Sequence, residues 1–320
     1  MTKNVEMSVI MRTSNESRGQ LPVKNPVVMN PAIRAYQMVD FQIKMNLSDP
    51  SIPRIPYQHT YPLPFEQGIS HTRVNYLMQT YWHHTFTVSI LYIVVIRWLE
   101  YWMAKRPAYD LRTALIFWNG ALAIFSIMGA IRTTEEFMST TFNEGLYKSV
   151  CYVFDQTSVT AHWFLFFAIS KLVEFGDTIF IALRKRPLTF LHCYHHCSVL
   201  IYTFHSGAEH LASGRWFMWM NFIAHSVMYT YFCAVSAGIK VPRKLAKCVT
   251  LIQITQMILG IGVSLSVFAI KSLTSWRCHQ SYTNLYLSFF IYVSYAILFI
   301  RFFINAYSTN KKVIESDKKK

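Results

Sequence analysis

The stretch that decides the fold runs from residue 160 to residue 205 and reads TAHWFLFFAISKLVEFGDTIFIALRKRPLTFLHCYHHCSVLIYTFH. It holds two mostly apolar blocks joined by the basic loop Arg184-Lys185-Arg186. A membrane-spanning helix needs about 20 mostly apolar residues. Short loops rich in Lys and Arg remain on the cytosolic side of a membrane. The stretch therefore predicts two spans that are joined at the cytosolic surface.

The same alternation of apolar blocks and short polar loops continues along the 320 residues, 52% of which are hydrophobic. It predicts seven spans, at about 81–102, 113–131, 160–183, 189–205, 216–237, 249–270 and 283–305. The expected fold class is thus an all-α integral membrane protein in contact with membrane lipid. The formal charge of +15 could suit nucleic acid. Because the basic residues lie in loops and form no stripe with interleaved aromatics, no nucleic acid partner is expected.

The loop charges predict the orientation of the chain. Basic residues concentrate in alternate loops, and the carboxylates accompany the other set. This segregation fits an odd number of spans with a cytosolic carboxyl terminus. The predicted organisation is a flexible lumenal N-terminal arm over 1–75, a seven-helix membrane domain over 76–307 and a basic cytosolic tail over 308–320. The glycosylation acceptors Asn15 and Asn46 lie in the arm and agree with a lumenal amino terminus.

The same topology places Cys151 and Cys278 together in the oxidising lumen. We therefore expect a disulfide between them, with two unpaired thiols as the alternative.

Ionisable residues in the third span are the first candidates for function. Lys171, Glu174 and Asp177 follow one another at spacings of three, which brings them close to one helix face. An ionisable group at the bilayer centre costs about 2.5–3.5 kcal/mol on insertion scales and is a functional suspect. The alternative is an ion-pair network that only holds helices together. Thr178 could be a hydroxyl that bonds back to its own helix.

The fourth span begins with the box His192-Cys-Tyr-His195-His196. In a helix these three histidines fall at i, i+3 and i+4, so their rings project from one face. A single histidine on an apolar face is usually a satisfied core residue, whereas three on one stripe inside a membrane indicate chemistry.

Two further spans supply polar residues with helical spacing. Asn221, His225 and Tyr229 follow one face of the fifth span, and Gln253 and Gln256 begin the sixth. For the glutamines the alternative is ordinary hydrogen bonding between helices. At about 1.5 Å rise per residue, all these clusters lie in the cytosolic half of the membrane or near its midplane. A site that opens to the cytosol is expected.

Four stretches of this chain resemble the fatty acid elongase family, which extends acyl-CoA with malonyl-CoA. They are KLVEFGDT at 171–178, HCYHH at 192–196, NFIAHSVMYTYF at 221–232 and TLIQITQ at 250–256, in the family's order. The resemblance covers about residues 75–310. It is strongest to the subgroup for saturated and monounsaturated long chains and suggests an invertebrate member. Such members also take branched or polyunsaturated chains, so the acyl preference stays open.

The resemblance implies seven helices, six of which form a closed barrel around an acyl tunnel. It implies transfer of the acyl group to histidine, with His195 and His225 at the matching positions. It also implies a very-long-chain 3-oxoacyl-CoA synthase of the endoplasmic reticulum and a lumenal disulfide at Cys151 and Cys278. The elongation-cycle reductases and dehydratase are the expected protein partners, and a homo-oligomer is allowed.

The reaction needs a thioester carbonyl and the carbanion equivalent that malonyl-CoA supplies by losing carbon dioxide, so no metal or redox cofactor is expected. A neutral imidazole attacks thioesters, and an acyl-imidazole can pass its acyl group on. His195, aided by His225, is the expected acyl acceptor, and His195 as a general base is the alternative. His192 and His196 would orient tautomers or bond the oxyanion. The residues expected to support this chemistry are Lys171, Glu174, Asp177, Asn221, Tyr229 and Gln253. Arg184 and Lys185 are expected to bind the phosphates of CoA.

Two other classes stay open at this point. HxxHH is also an iron-ligand spacing, so a membrane di-iron desaturase or hydroxylase is one alternative, although the remaining histidines form no second such box. A seven-helix receptor or transporter is the other, although internal repeats of the transporter kind are not evident.

Overall fold

A computed structural model describes residues 37–39, 42–67, 69 and 71–307. The described chain is mostly helical, with four short strands and one 3-10 turn at Pro64–Glu66. Its α-helices are α1 (His71–Tyr81), α2 (His84–Ala104), α3 (Arg112–Asn143), α4 (Gly145–Cys151), α5 (Val159–Val173), α6 (Phe175–Leu183), α7 (Phe190–Glu209), α8 (Gly214–Ser236), α9 (Arg243–Leu273) and α10 (Tyr282–Tyr307).

Four helices within the described ranges are long and apolar enough to cross a membrane, namely α2, α3, α9 and α10. Large apolar side chains such as Leu91, Phe117, Phe290 and Ile297 are exposed on them, as a lipid environment requires. The chain is therefore an all-α integral membrane protein. Helices α5 to α8 coincide with the third, fourth and fifth predicted spans, but they are shorter or more polar.

Two helices differ from the predicted spans. The third span is not one helix, because α5 ends at Val173 and α6 begins at Phe175, with a single turn residue, Glu174, between them. The second span was expected to end near 131, but α3 continues to Asn143. The extension is polar and stays helical because its charges are paired: the Arg215 guanidinium lies 2.8 Å from the Glu136 carboxylate, and both side chains are buried.

The long helices pack in a closed order. Helix α5 contacts α3, α3 contacts α8, α8 contacts α9, α9 contacts α10, α10 contacts α7, and α7 contacts α5. Helix α2 lies outside this sequence and packs against α6 and α7. Helices α7 and α8 follow one another in the chain yet are not among the main packing pairs, so they face each other across the interior.

One end of this bundle is tied together covalently, and we call it the disulfide end. Cys151 and Cys278 form a disulfide with an S–S distance of 2.04 Å, joining the end of α4 to the α9–α10 connection. Arg215, at the start of α8, also donates to the backbone carbonyls of Ser149 and Tyr152 there. The opposite end carries the Arg184–Arg186 loop and the start of α9, and we call it the basic-loop end.

The segment from 42 to 67, predicted as part of a flexible arm, packs on the disulfide end. Its side chains Ile43, Met45, Leu47 and Ile52 are buried against α1, α5 and α7. Strand Arg54–Ile55 pairs in parallel with strand Val153–Phe154. Arg132 of α3 bonds both carboxylate oxygens of Glu66. The apolar and ionic contacts hold this part of the segment, whereas Asn15 and residues 308–320 lie outside the described residues.

Candidate active site

A buried polar cluster forms where α5 gives way to α6. Lys171 is 1% exposed, and its ammonium donates to Glu174 Oε1 at 2.8 Å and to Asn221 Oδ1 of α8 at 2.9 Å. The Ser170 hydroxyl donates to the same Glu174 oxygen at 3.1 Å. His225 Nδ1 lies 3.6 Å from it. The predicted residues Lys171 and His225 thus meet at the Glu174 carboxylate, and Asn221 joins the cluster through the Lys171 ammonium.

Asp177, one turn further along, has two donors of its own. Trp118 Nε1 of α3 donates to Oδ1 at 2.6 Å, and the Tyr229 hydroxyl of α8 donates to Oδ2 at 2.7 Å. The Tyr229 ring contacts His225 edge to face, with centroids 5.4 Å apart. Asp177 therefore holds the face of α8 that carries His225.

The histidine box occupies the first turns of α7. Helix α7 begins at an N-cap, in which the Thr189 hydroxyl accepts a hydrogen bond from the backbone N–H of His192. Pro187, two residues earlier, disfavours helix before this point. The rings of His192 and His196 have centroids 4.4 Å apart, and those of His195 and His196 5.5 Å. The three rings lie on one stripe, as the sequence predicts.

His195 faces the interior of the bundle. Its ring contacts Tyr295 of α10 at 5.0 Å, and the Tyr295 hydroxyl donates to the His195 carbonyl at 3.3 Å. Helix α7 packs against α5, whose last turn carries Lys171, and lies across the ring from α8, which carries His225. The box of α7 and the polar cluster of α5, α6 and α8 therefore share one interior.

Two of the predicted supporting residues, Lys185 and Gln253, have local partners. Lys185 has a positive φ of 52° and donates to the carbonyls of Ala104 and Arg106, so it closes the carboxyl end of α2. Gln253 Nε2 lies 3.2 Å from the Met228 sulfur of α8. Arg184 is partly exposed at the basic-loop end, beside the end of α6.

Several contributors to this site have no sequence signal of their own. Trp118 lies 59 residues before Asp177, and Tyr295 lies 100 residues after His195. Each is one aromatic residue in an aromatic-rich apolar span, and only the packing order of the helices brings it to the site. Ser170 could have been found, since it precedes Glu174 by one helical turn.

The described residues contain no group of three or more His, Cys, Asp or Glu side chains arranged to hold a metal ion. The His83 and His84 rings lie together at the start of α2, outside the cluster described above.

These features define a helical membrane protein with a buried cluster of histidines, carboxylates and one lysine. Comparison with known families is more specific, because residues 77–315 match the family model described as "ELO: GNS1/SUR4 family". The chain belongs to this family.

Curated relatives are similar in sequence to this protein over most of its length. Putative fatty acid elongase 4 of Caenorhabditis elegans is 46% identical over 263 residues, which are 82% of this chain and 89% of the relative. Very long chain fatty acid elongase 6 of Drosophila melanogaster is 43% identical, covering 78% of this chain and 80% of the relative. The Homo sapiens protein of the same name is 41% identical, covering 76% and 91%. The resemblance to fatty acid elongases is confirmed, and the chain is a multi-pass membrane protein of fatty acid elongation.

Proposed function

We propose that this protein is a very-long-chain 3-oxoacyl-CoA synthase, which condenses long-chain acyl-CoA with malonyl-CoA. The observation that carries the proposal is the shared interior of the histidine box and the Lys171–Glu174–His225 cluster, in a chain of the elongase family. This condensation is the first step of the elongation cycle, and its product is 3-oxoacyl-CoA. The substrates are saturated or monounsaturated long chains, following the subgroup that the motifs resemble.

The fold that serves this reaction is seven spans, six of which surround an acyl tunnel. The closed packing order of α5, α3, α8, α9, α10 and α7 supports the ring, with α5 and α6 together making one span and α2 standing outside. The tunnel lies within the ring, between the helices that carry His195 and His225. The disulfide end is lumenal and the basic-loop end cytosolic, an orientation that the loop charges support.

The reaction proceeds in two transfers. An unprotonated nitrogen of His195 attacks the thioester carbonyl, the C–S bond breaks, and CoA leaves as a thiolate. The other ring nitrogen of His195 loses its proton, and the thiolate takes up one proton, which leaves a neutral acyl-imidazole and free CoA. Malonyl-CoA then loses carbon dioxide, and the resulting enolate attacks the acyl carbon of the acyl-imidazole. The C–N bond breaks, the departing His195 nitrogen takes up a proton from water, and 3-oxoacyl-CoA is released. An acyl-imidazole is reactive enough for the second transfer.

The surrounding residues position this chemistry. Glu174 accepts the Lys171 ammonium and lies beside His225, so it compensates the lysine charge and orients the ring. Asp177 fixes Tyr229 next to the same ring. His192 and His196 supply N–H groups for the developing oxyanion. Should no acyl-enzyme form, His195 acts instead as a general base.

The reaction as written balances without a metal or redox cofactor, and none is proposed. Arg184 and its basic neighbours at the cytosolic mouth receive the CoA phosphates. For Lys185 this requires leaving the Ala104 and Arg106 carbonyls that it bonds in the structure. The enzyme resides in the endoplasmic reticulum membrane, hands its product to the reductases and dehydratase of the cycle, and is glycosylated at Asn15 and Asn46. Asn46 is exposed in a turn that its side-chain oxygen closes on the Ser48 N–H.

The proposal is tested with purified protein in lipid nanodiscs, supplied with radiolabelled malonyl-CoA and palmitoyl-CoA. We expect 3-oxoacyl-CoA from the wild type and from His84→Gln, which changes an exposed histidine outside the cluster. His195→Ala and His225→Ala should lose activity by at least about 100-fold. A wild type that lengthens no acyl-CoA contradicts the proposal. Acyl modification that requires iron and oxygen would favour the desaturase alternative, and passage of a solute without chemistry would favour a transporter.

A further inference from the structure

A hydroxyl relay reaches the histidine box from a helix outside the ring. Tyr92 of α2 lies with its hydroxyl 2.7 Å from Thr178 Oγ1 of α6, and the same Thr178 oxygen lies 2.8 Å from His192 Nε2 of α7. Tyr92 is 6% exposed and Thr178 is fully buried. Three helices are thus joined through one threonine oxygen.

The protons of this relay have one arrangement that gives each a strong acceptor. A threonine hydroxyl has a single proton, so Thr178 donates to one of its two neighbours and accepts from the other. If it donates to His192, then Tyr92 donates to Thr178 and both protons are bonded. In the reverse direction the phenol proton points away from Thr178, and the nearby Cys193 thiol is a weak acceptor for it.

The favoured arrangement fixes the tautomer of His192. When Nε2 accepts from Thr178, the neutral ring carries its proton on Nδ1. The ring is also held in place, because it contacts His196 at 4.4 Å while its Nε2 is bound. His192 then presents a fixed N–H donor within the box.

The phenol that begins the relay is itself held by packing. The Tyr92 ring stacks on Phe175 at the start of α6, with centroids 4.2 Å apart. Helix α2 packs against α6 and α7, the two helices that carry the other members of the relay. Sequence patterns do not single out Tyr92, because its partner Thr178 follows it by 86 residues.

We propose that Tyr92 is a positioning residue for the reaction, which sets the tautomer and orientation of His192 through the Thr178 hydroxyl. The inference rests on the proposed condensing function. It gives α2 a part in the active site although this helix lies outside the ring. Tyr92 does not itself contact the substrate.

The kinetic test uses substitutions that remove one oxygen at a time. Tyr92→Phe keeps the stacked ring and should lower kcat by about tenfold, the loss expected for one hydrogen bond, while KM for acyl-CoA changes by less than about twofold. Thr178→Val should lower kcat at least as much, and Thr178→Ser should retain most of it. The matched control is Tyr101→Phe on the same helix, whose side chain is 79% exposed.

Combination of the two substitutions separates a relay from two independent packing defects. Residues that act through one chain of bonds are not additive. The double variant Tyr92→Phe with Thr178→Val should therefore be no slower than Thr178→Val alone. A double variant whose loss of kcat is the product of the two single losses would overturn the relay. An unchanged kcat in Tyr92→Phe would overturn it as well.

A spectroscopic measurement tests the relay independently of activity. In protein labelled with nitrogen-15 histidine, the His192 signal is identified by its loss in His192→Gln. We expect protonated Nδ1 and hydrogen-bonded, unprotonated Nε2, with a shift toward the other tautomer in Tyr92→Phe. A wild-type His192 ring that is protonated on Nε2 contradicts the proposal, and so does a tautomer that does not change in Tyr92→Phe. Absence of elongation by the wild type would instead reject the proposed function, and the spectrum would still decide the relay.

Discussion

At the residue scale, the site is built from buried charges that have partners. The free-energy cost of burying the Lys171 charge in an apolar helix would be prohibitive without partners. Here the Glu174 carboxylate and the Asn221 amide oxygen accept hydrogen bonds from its ammonium group. The spacing of Lys171, Glu174 and Asp177 was enough to predict one face, whereas their separate partners could not be predicted. Asp177 belongs with Trp118 and Tyr229, which come from other helices.

The pairing of Lys171 predicts a large difference between two similar substitutions. Lys171→Met leaves the Glu174 charge buried and should destabilise the protein by about 3–5 kcal/mol. Lys148→Met removes the corresponding member of an exposed helical pair, Lys148–Glu144, and should leave stability close to that of the wild type. Thermal unfolding in detergent, followed by loss of the monodisperse species, measures both. Equal effects would contradict a buried, charge-compensated cluster.

At the scale of elements, the sequence located the helices well and their interruptions poorly. Apolar blocks of spanning length set the places of α2, α9 and α10 directly. The break at Glu174 could not be predicted, because the apolar pattern continues across it and tertiary contacts surround it. The extension of α3 to Asn143 was missed because its carboxylate Glu136 is satisfied by Arg215, distant in the chain.

Close packing at the start of α6 gives a prediction with an internal control. A Cβ added at Gly176 would lie 2.5 Å from the Trp118 ring, the same indole that bonds Asp177. Gly176→Ala should therefore destabilise the protein by about 1–3 kcal/mol and reduce elongation. A Cβ at Gly262 of α9 meets nothing within 4 Å, so Gly262→Ala should be neutral or stabilise by up to about 1 kcal/mol. Thermal unfolding and the elongation assay on both variants check this, and a harmless Gly176→Ala would refute the close contact.

At the scale of the whole molecule, the disulfide end is fastened and the basic-loop end holds the histidines. The fastening includes the segment from 42 to 67, whose packing was not predicted although its buried residues Ile43, Met45 and Leu47 alternate with polar residues, the pattern of a half-buried strand. Glu66 is 2% exposed and is the main ionic attachment of this segment, with donors from Arg132, Trp163 and the Leu63 N–H.

This attachment predicts a dependence on pH. Burial opposes ionisation of Glu66, but the hydrogen bonds from Arg132, Leu63 and Trp163 outweigh it and lower its pKa from the usual 4.5. A lowered pKa in the folded state stabilises the protein above the unfolded-state value, and the stabilisation is lost as pH falls through the folded-state value.

The difference in melting temperature between the wild type and Glu66→Gln isolates this contribution. It should be constant near neutral pH and shrink as pH falls below about 4.5. Asp110→Asn, at an exposed carboxylate in the α2–α3 connection, serves as the control and should leave the profile unchanged. A difference in melting temperature that does not shrink at acidic pH would contradict the ionic attachment of Glu66.

The most direct test of the central claim, acyl transfer within the histidine cluster during elongation, is single-turnover release of CoA. Purified protein is mixed with acyl-CoA alone, free CoA is quantified, and peptides are searched for an acyl group. We expect up to one CoA per active site without malonyl-CoA and an acyl adduct on His195, both absent in His195→Ala. Release of CoA only when malonyl-CoA is present, with no adduct at any time, would contradict this claim.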